Sequence, residues 1–204
     1  MDDVLEVYHL PYNPDAPVIC FDECSKQLLQ HVRKPIPARP GRLACVDDEY
    51  KRCGTANIFV AVEPLTGHVL FEVTDQRRTV DCGMFLKKIA DEYSEASRII
   101  LVCDNLNTHT VAAFYATFAP TQARELTKRF EFHYTPKHGS WLNVAETELS
   151  IVARQCLAQR IETRARVQEL MEAWDRGRNE GTISWQFTTD SARIKLRRLY
   201  PSIQ

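Results

Sequence analysis

RIILVCDNLNTH, residues 98–109, sets five consecutive apolar side chains, Ile99 to Cys103, directly before Asp104. A run this short and unbroken fits a strand buried on both faces, because it leaves no side for solvent. Upstream, Val18 to Phe21 repeats the arrangement and ends in Asp22. In an open α/β sheet, groups at the carboxyl ends of central strands gather in one crevice. Two apolar strands that each end in an aspartate therefore frame both the fold and the chemistry.

Working outward, residues 57–62 and 68–73 are rich in Ile, Phe and Val and flank EPLTG, whose Pro64 and Gly67 suit a tight reversal. They predict a hairpin. Thr79 is placed to cap a helix from Val80 to Tyr93, with Phe85, Ile89 and Tyr93 on its core stripe. Beyond Asp104, Thr108 or Thr110 opens a helix that breaks at Pro120 and resumes through Leu126. Phe130, Phe132 and Tyr134 alternate with polar residues and predict a strand. PKHGSW is a turn with Trp141 as a core or staple residue, and Asn143 introduces a helix carrying Ala145, Leu149, Val152 and Cys156 on one face. A last helix runs from Thr163 to Trp174. This order predicts an α/β fold with a mixed sheet flanked by helices. Residues 1–16, with Pro11 and Pro14, read as an extended, linker-like lead-in, and 17–204 as one domain.

The chain has 204 residues, 44% hydrophobic and 26% charged, which suits a single soluble globular domain. No stretch approaches the roughly 20 apolar residues that span a bilayer, and the acidic start lacks a signal-peptide pattern, so a cytoplasmic protein without a membrane partner is expected. Seven cysteines, an odd number scattered through apolar runs, read as reduced and buried thiols and give no zinc pattern. The net charge of -1 hides two basic segments. Lys26, Arg33, Lys34, Arg39 and Arg42 lie in a proline-rich surface loop, and Arg193, Lys195, Arg197 and Arg198 near the end.

Asp22 and Asp104 converging at strand ends would repel unless neutralised, and Mg²⁺ or Mn²⁺ suits such oxygen donors. Glu146, in the first turn of the Asn143 helix, is the candidate third ligand. It also fits a capping arrangement with Asn143, in which it serves only the helix backbone. Strand-end acids equally begin turns or caps. Glu23 is set aside because it points opposite to Asp22 in an extended strand, and Glu148 because it lies about 200° around the helix from Glu146.

The segments VICFDE, YKRCGTANIFVAVEPLTG, ILVCDNLNTH and HYTPKHGSWLNVAE, in that order, resemble the catalytic domain of the mariner-like superfamily of DDE transposases, in its bacterial insertion-sequence branch. The resemblance begins near Pro17 and covers nearly all of the chain. It implies a ribonuclease H-like fold and a DDE triad at Asp22, Asp104 and Glu146, holding two Mg²⁺ or Mn²⁺ ions. The implied activity is cleavage of a phosphodiester at an element end, followed by attack of the freed 3′ hydroxyl on target DNA. The alternatives are a metal-dependent nuclease without strand transfer, or an inactive transposase-derived binding domain. Val144-Ala145 departs from the family's commoner Pro-hydrophobic pair before the last acid.

The resemblance also raises Arg33, Lys34, Arg39, Arg42, Lys51 and Arg52 as residues that track the DNA backbone. Asn105, His109, Lys137, His138, Ser140 and Asn143 are added as neighbours of the triad that touch DNA. For His109, orientation of a ligand and a structural role weigh equally. Family members assemble as dimers on paired ends and carry helix-turn-helix modules ahead of the catalytic domain. None precedes Asp22, so end recognition is expected from a separate polypeptide or a frameshifted partner frame, or not at all, with the protein nucleoid-associated when on DNA.

Overall fold

The computed structural model describes residues 1–137, 139–178, 181–183 and 185–196, Ser140 through its backbone alone. Five strands, β1 (Val18–His31), β2 (Tyr50–Val62), β3 (Val69–Thr74), β4 (Ile99–Cys103) and β5 (Phe130–Tyr134), form one sheet in the order β3-β2-β1-β4-β5. β1, β2 and β3 pair antiparallel, whereas β4 and β5 continue the sheet in parallel with β1. The expected α/β mixed sheet is thus observed.

Strand alternation sorts the core into two layers. Ile19, Phe21, Phe59, Ala61, Ile99, Leu101 and Cys103 face α2 (Thr79–Glu92), α3 (Ala112–Thr117) and α4 (Pro120–Arg129). Val18, Cys20, Ile58, Val60, Ile100 and Val102 belong to the other layer, with α1 (Asp2–Tyr8), α5 (Val144–Gln155), α6 (Arg164–Gly177) and α7 (Thr189–Lys195). Burial of both faces accounts for the unbroken apolarity of β4.

Several local expectations change. Residues 2–8 are a helix instead of an extended lead-in: Val4, Leu5, Val7 and Tyr8 are buried, and the Tyr8 hydroxyl donates 2.6 Å to the Leu142 carbonyl. Seven residues are too few for helical periodicity to register in the sequence, and tertiary packing decides. β1 extends to His31 because β2 supplies backbone partners as far as Tyr50, even where side chains are polar. The basic loop is accordingly shorter, and it is organised as a ribbon by backbone bridges between Ile36 and Cys45 and between Arg39 and Arg42, turning at Gly41 with φ 75°.

Arg78 caps α2 in place of Thr79, its backbone N–H donating to the Asp81 carboxylate. Pro120 starts α4 at a position where no backbone donor is needed. Trp141 is 43% exposed on the 3-10 turn Ser140–Leu142, edge-on to Phe187, and is not a core residue. All seven cysteines are free, four of them buried.

Candidate active site

Pairing geometry brings the two aspartates together. Cys20 stands opposite Val102 at the end of the parallel β1–β4 ladder, so Asp22, still inside β1, and Asp104, just past β4, each two residues on, lie side by side on the same face. α5 packs over that face. Its cap residue Asn143 accepts from the Ala145 N–H at 3.2 Å and donates to the Phe21 carbonyl at 2.9 Å and to Asp22 Oδ2 at 3.3 Å. Helix α5 is thereby anchored with its first turn beside Asp22, and Asp22, Asp104 and Glu146 line one open cleft of about 380 Å³.

The capping alternative for Glu146 is answered by this geometry. Asn143 caps alone, and among the described residues the Glu146 carboxylate takes no hydrogen bond. Glu148 points elsewhere, into an ion pair with Arg178 at 3.1 Å.

Glu23 and Arg77 also border the cleft; sequence reasoning set Glu23 aside and missed Arg77. Alternation does turn Glu23 to the α2–α3 side, but there it meets His109. Oε2 of Glu23 lies 2.6 Å from His109 Nε2, in an ion contact whose angles are not those of a hydrogen bond. His109 Nδ1 lies 2.5 Å from Asp104 Oδ1. Arg77, in the β3–α2 connection, reaches to 3.8 Å from Glu23 with its side chain 56% exposed. A lone arginine in a loop carries no periodic signal.

The electrostatics follow from the crowding of acids. Burial pushes the Asp22 carboxyl up to about 7; the Glu23 N–H opposes this, and the negative charges of Asp104, Glu23 and Glu146 add to it. Burial alone would lower His109, yet contacts with Asp104 and Glu23 outweigh it and raise the imidazole to about 9. With a carboxylate at each nitrogen, the charged ring is the favoured form.

Among the described residues no three Asp, Glu, His or Cys side chains close around one point as a finished cation cage. In kind, however, the donors fit hard divalent cations: three carboxylates share a cleft, and among the described residues Asp104 Oδ2 and both Glu146 oxygens take no hydrogen bond or ion pair. A larger groove of about 520 Å³ beside α2 lies apart from these acids. Its lysines are already paired, Lys87 with Asp91 and Lys88 with Glu72.

The remaining candidates divide by exposure. Arg33, Lys34, Arg39 and Arg42 are exposed on the ribbon, Arg33 beside Asp47 at 3.4 Å, and Lys51 and Arg52 are exposed where β2 begins. Asn105 and Lys137 are exposed as well. His109 and Asn143 are 0% and 1% exposed, and a direct DNA contact is corrected for both, since a side chain closed off from water is equally closed to a DNA strand. Ser140 contributes its backbone to the turn before α5, and His138, Arg197 and Arg198 lie outside the described residues.

A family model described as DDE superfamily endonuclease matches residues 17–168, a span that holds all three acids. The chain belongs to the DDE superfamily endonucleases. This DDE domain is similar in fold to the crystal structure of the Mos1 mariner paired end complex with Mn, at 18% identity and TM-score 0.52, over 80% of this chain and 49% of that one. The Mos1 Strand Transfer Complex is matched at 17% identity and TM-score 0.54, over 80% and 48%. The shared architecture is the ribonuclease H-like fold that the sequence resemblance implied. The DDE domain spans about half the length of the Mos1 chains it matches. No curated protein matches its sequence. Among the described residues of the domain, no helix is long and apolar enough to cross a membrane.

Proposed function

We propose that this chain is a transposase catalytic domain that cuts DNA at an element end and joins the freed strand to target DNA. The observation that carries this reading is the meeting of Asp22, Asp104 and Glu146, from two strands and a helix, in one cleft within the family-matched span. The three would hold two Mg²⁺ or Mn²⁺ ions. When bound, such ions stabilise charge on the attacking and leaving oxygens of an in-line displacement at phosphorus.

The chain's own groups have distinct tasks in this reading. Asp22, whose carboxyl burial raises to about 7, would hold a cation as the carboxylate, and Asn143 keeps that group at the helix start. Arg77, a cation on the rim of an acidic cleft, offers its guanidinium to a phosphate of the entering strand. Arg33, Lys34, Arg39, Arg42, Lys51 and Arg52 track the backbone further out, and Asn105 and Lys137 border the cut strand. Pairing of two copies on DNA, and recruitment by a helix-turn-helix polypeptide, complete the proposal. The Mos1 complexes, described as paired-end and strand-transfer assemblies, support it by their shared fold.

The test is nicking of supercoiled DNA by the purified chain with Mg²⁺ or Mn²⁺. Nicking is expected in the wild type and lost in Asp104→Asn, in Glu146→Gln and on chelation. Cleavage that persists in Asp104→Asn, or without metal, overturns the mechanism. A covalently joined donor–target product separates a transposase from a nuclease that only cuts.

A further inference from the structure

We infer that Glu23 and His109 form a buried positioning pair that fixes the carboxylate of Asp104 for cation binding. The inference rests on the metal-binding reading of Asp104 above and assigns tasks to two residues outside the acid triad.

His109 is 0% exposed, and both its ring and its backbone are held. Phe21 meets it edge-on with centroids 4.7 Å apart. The Tyr134 hydroxyl donates to its backbone carbonyl at 3.0 Å, and its own N–H donates to the Leu106 carbonyl at 2.9 Å. One ring nitrogen faces Asp104 Oδ1 and the other faces Glu23 Oε2, whose side chain is only 3% exposed. A buried carboxylate is strongly unfavourable unless a cation pairs with it. Packing that only needed to fill this space would be served by an apolar residue. The Glu23–His109 contact instead spends its charge on holding a ring whose second nitrogen grips a cleft-lining aspartate.

The consequence falls on Asp104. It follows the last residue of β4, where the ladder no longer fixes the chain, and its Oδ1 is claimed twice, by His109 and by the Leu106 N–H at 3.3 Å. Among the described residues Oδ2 has no such partner, which leaves it to turn to a cation. A carboxylate with one oxygen tied down has a fixed plane, and partners of this kind behind a metal ligand are worth about 10- to 100-fold in metal affinity or activity. Mg²⁺ demands near-ideal octahedral geometry, so loosening the carboxylate is expected to harm Mg²⁺ use more than Mn²⁺ use. Glu23 acts through His109 and not on the ion itself.

The experiment compares wild type, Glu23→Gln, His109→Gln and the double variant. Mn²⁺ binding is measured by calorimetry on the purified chain, and DNA nicking is followed against Mg²⁺ and Mn²⁺ concentration. Metal-free thermal melts identify any variant that does not fold. Should His109→Gln unfold, the milder Glu23→Gln, which keeps shape and removes the charge, carries the test. Each single variant is expected to weaken Mn²⁺ binding by about 10-fold or more and to raise the Mg²⁺ concentration for half-maximal nicking, with rate at saturating Mn²⁺ largely restored. The double variant is expected to match His109→Gln, since Glu23 has nothing to act through once the ring is gone. Unchanged Mn²⁺ affinity in folded single variants overturns the inference, as does additive loss in the double variant, which would make Glu23 a ligand in its own right. A wild type that binds no Mn²⁺ fails the proposed function instead, so the two failures are distinct.

Discussion

The side-chain amide of Asn143 donates to the Phe21 carbonyl at 2.9 Å while its oxygen accepts from the Ala145 N–H, so one residue joins the end of the buried β1 core to the start of α5. Asn143→Ala removes the cap and leaves a buried carbonyl without its partner. Urea denaturation is expected to show a loss of about 2 kcal/mol, combining roughly 1 for a cap with about 1 for the carbonyl. A variant as stable as wild type would remove Asn143 from this role.

Asp22 links stability to pH. Its carboxyl is raised from 3.8 unfolded to about 7 in the fold, so its contribution is fully present below pH 3.8 and is lost as pH rises through about 7. In thermal melts with chelator, the wild type should lose stability relative to Asp22→Asn across that window and not beyond it. Added Mn²⁺ should reverse the loss in the wild type, with protection growing as the proton leaves. A difference between the two proteins that stays flat over the window would contradict the assignment.

Arg178 and Glu148 form a nearly enclosed pair, 13% and 8% exposed, and Arg178 also donates to the Gly67 carbonyl at 3.0 Å. Arg178→Ala strands an acid that burial already pushes upward. A loss of about 3 kcal/mol is expected by chemical denaturation. Replacing Glu148 by Leu and Arg178 by Met together should recover most of it. Failure of the double replacement to improve on Arg178→Ala would point to the Gly67 bond as the main contributor.

The ribbon tip offers a test of DNA tracking that leaves the cleft alone. Arg39 and Arg42 face each other across the Pro40-Gly41 turn and are exposed. Replacing both by Ala should change folding stability by less than about 0.5 kcal/mol. If each neutralises one phosphate, the slope of log affinity against log salt for duplex DNA should fall by about 0.9 per residue. An unchanged slope would free the ribbon of that role.

The strands were legible because their cause is local. Five apolar residues before Asp104 and the alternation of Phe130, Phe132 and Tyr134 each state which faces are buried, and β4 and β5 lie within a residue of the reading. The helix at residues 2–8 was not legible. Its apolar face is a single turn or two long, and what stabilises it is the surface formed by Cys20 and Leu142, far away in sequence. The length of β1 was hidden for a related reason, since its outer half is held by the β2 backbone and not by apolar side chains.

The sequence by itself determined that Asp22 and Asp104 each follow a buried apolar run, and that Glu23 turns to the opposite face, because an extended chain alternates its side chains whatever surrounds it. Tertiary structure alone decided what waits on each face. On one side it set α5, with Glu146 free of its cap and turned to the cleft. On the other it enclosed His109 between Glu23 and Asp104. Charge pairs of that kind depend on which loops are brought within about 3 Å in a medium too dry to screen them, and no pattern along the chain encodes that distance.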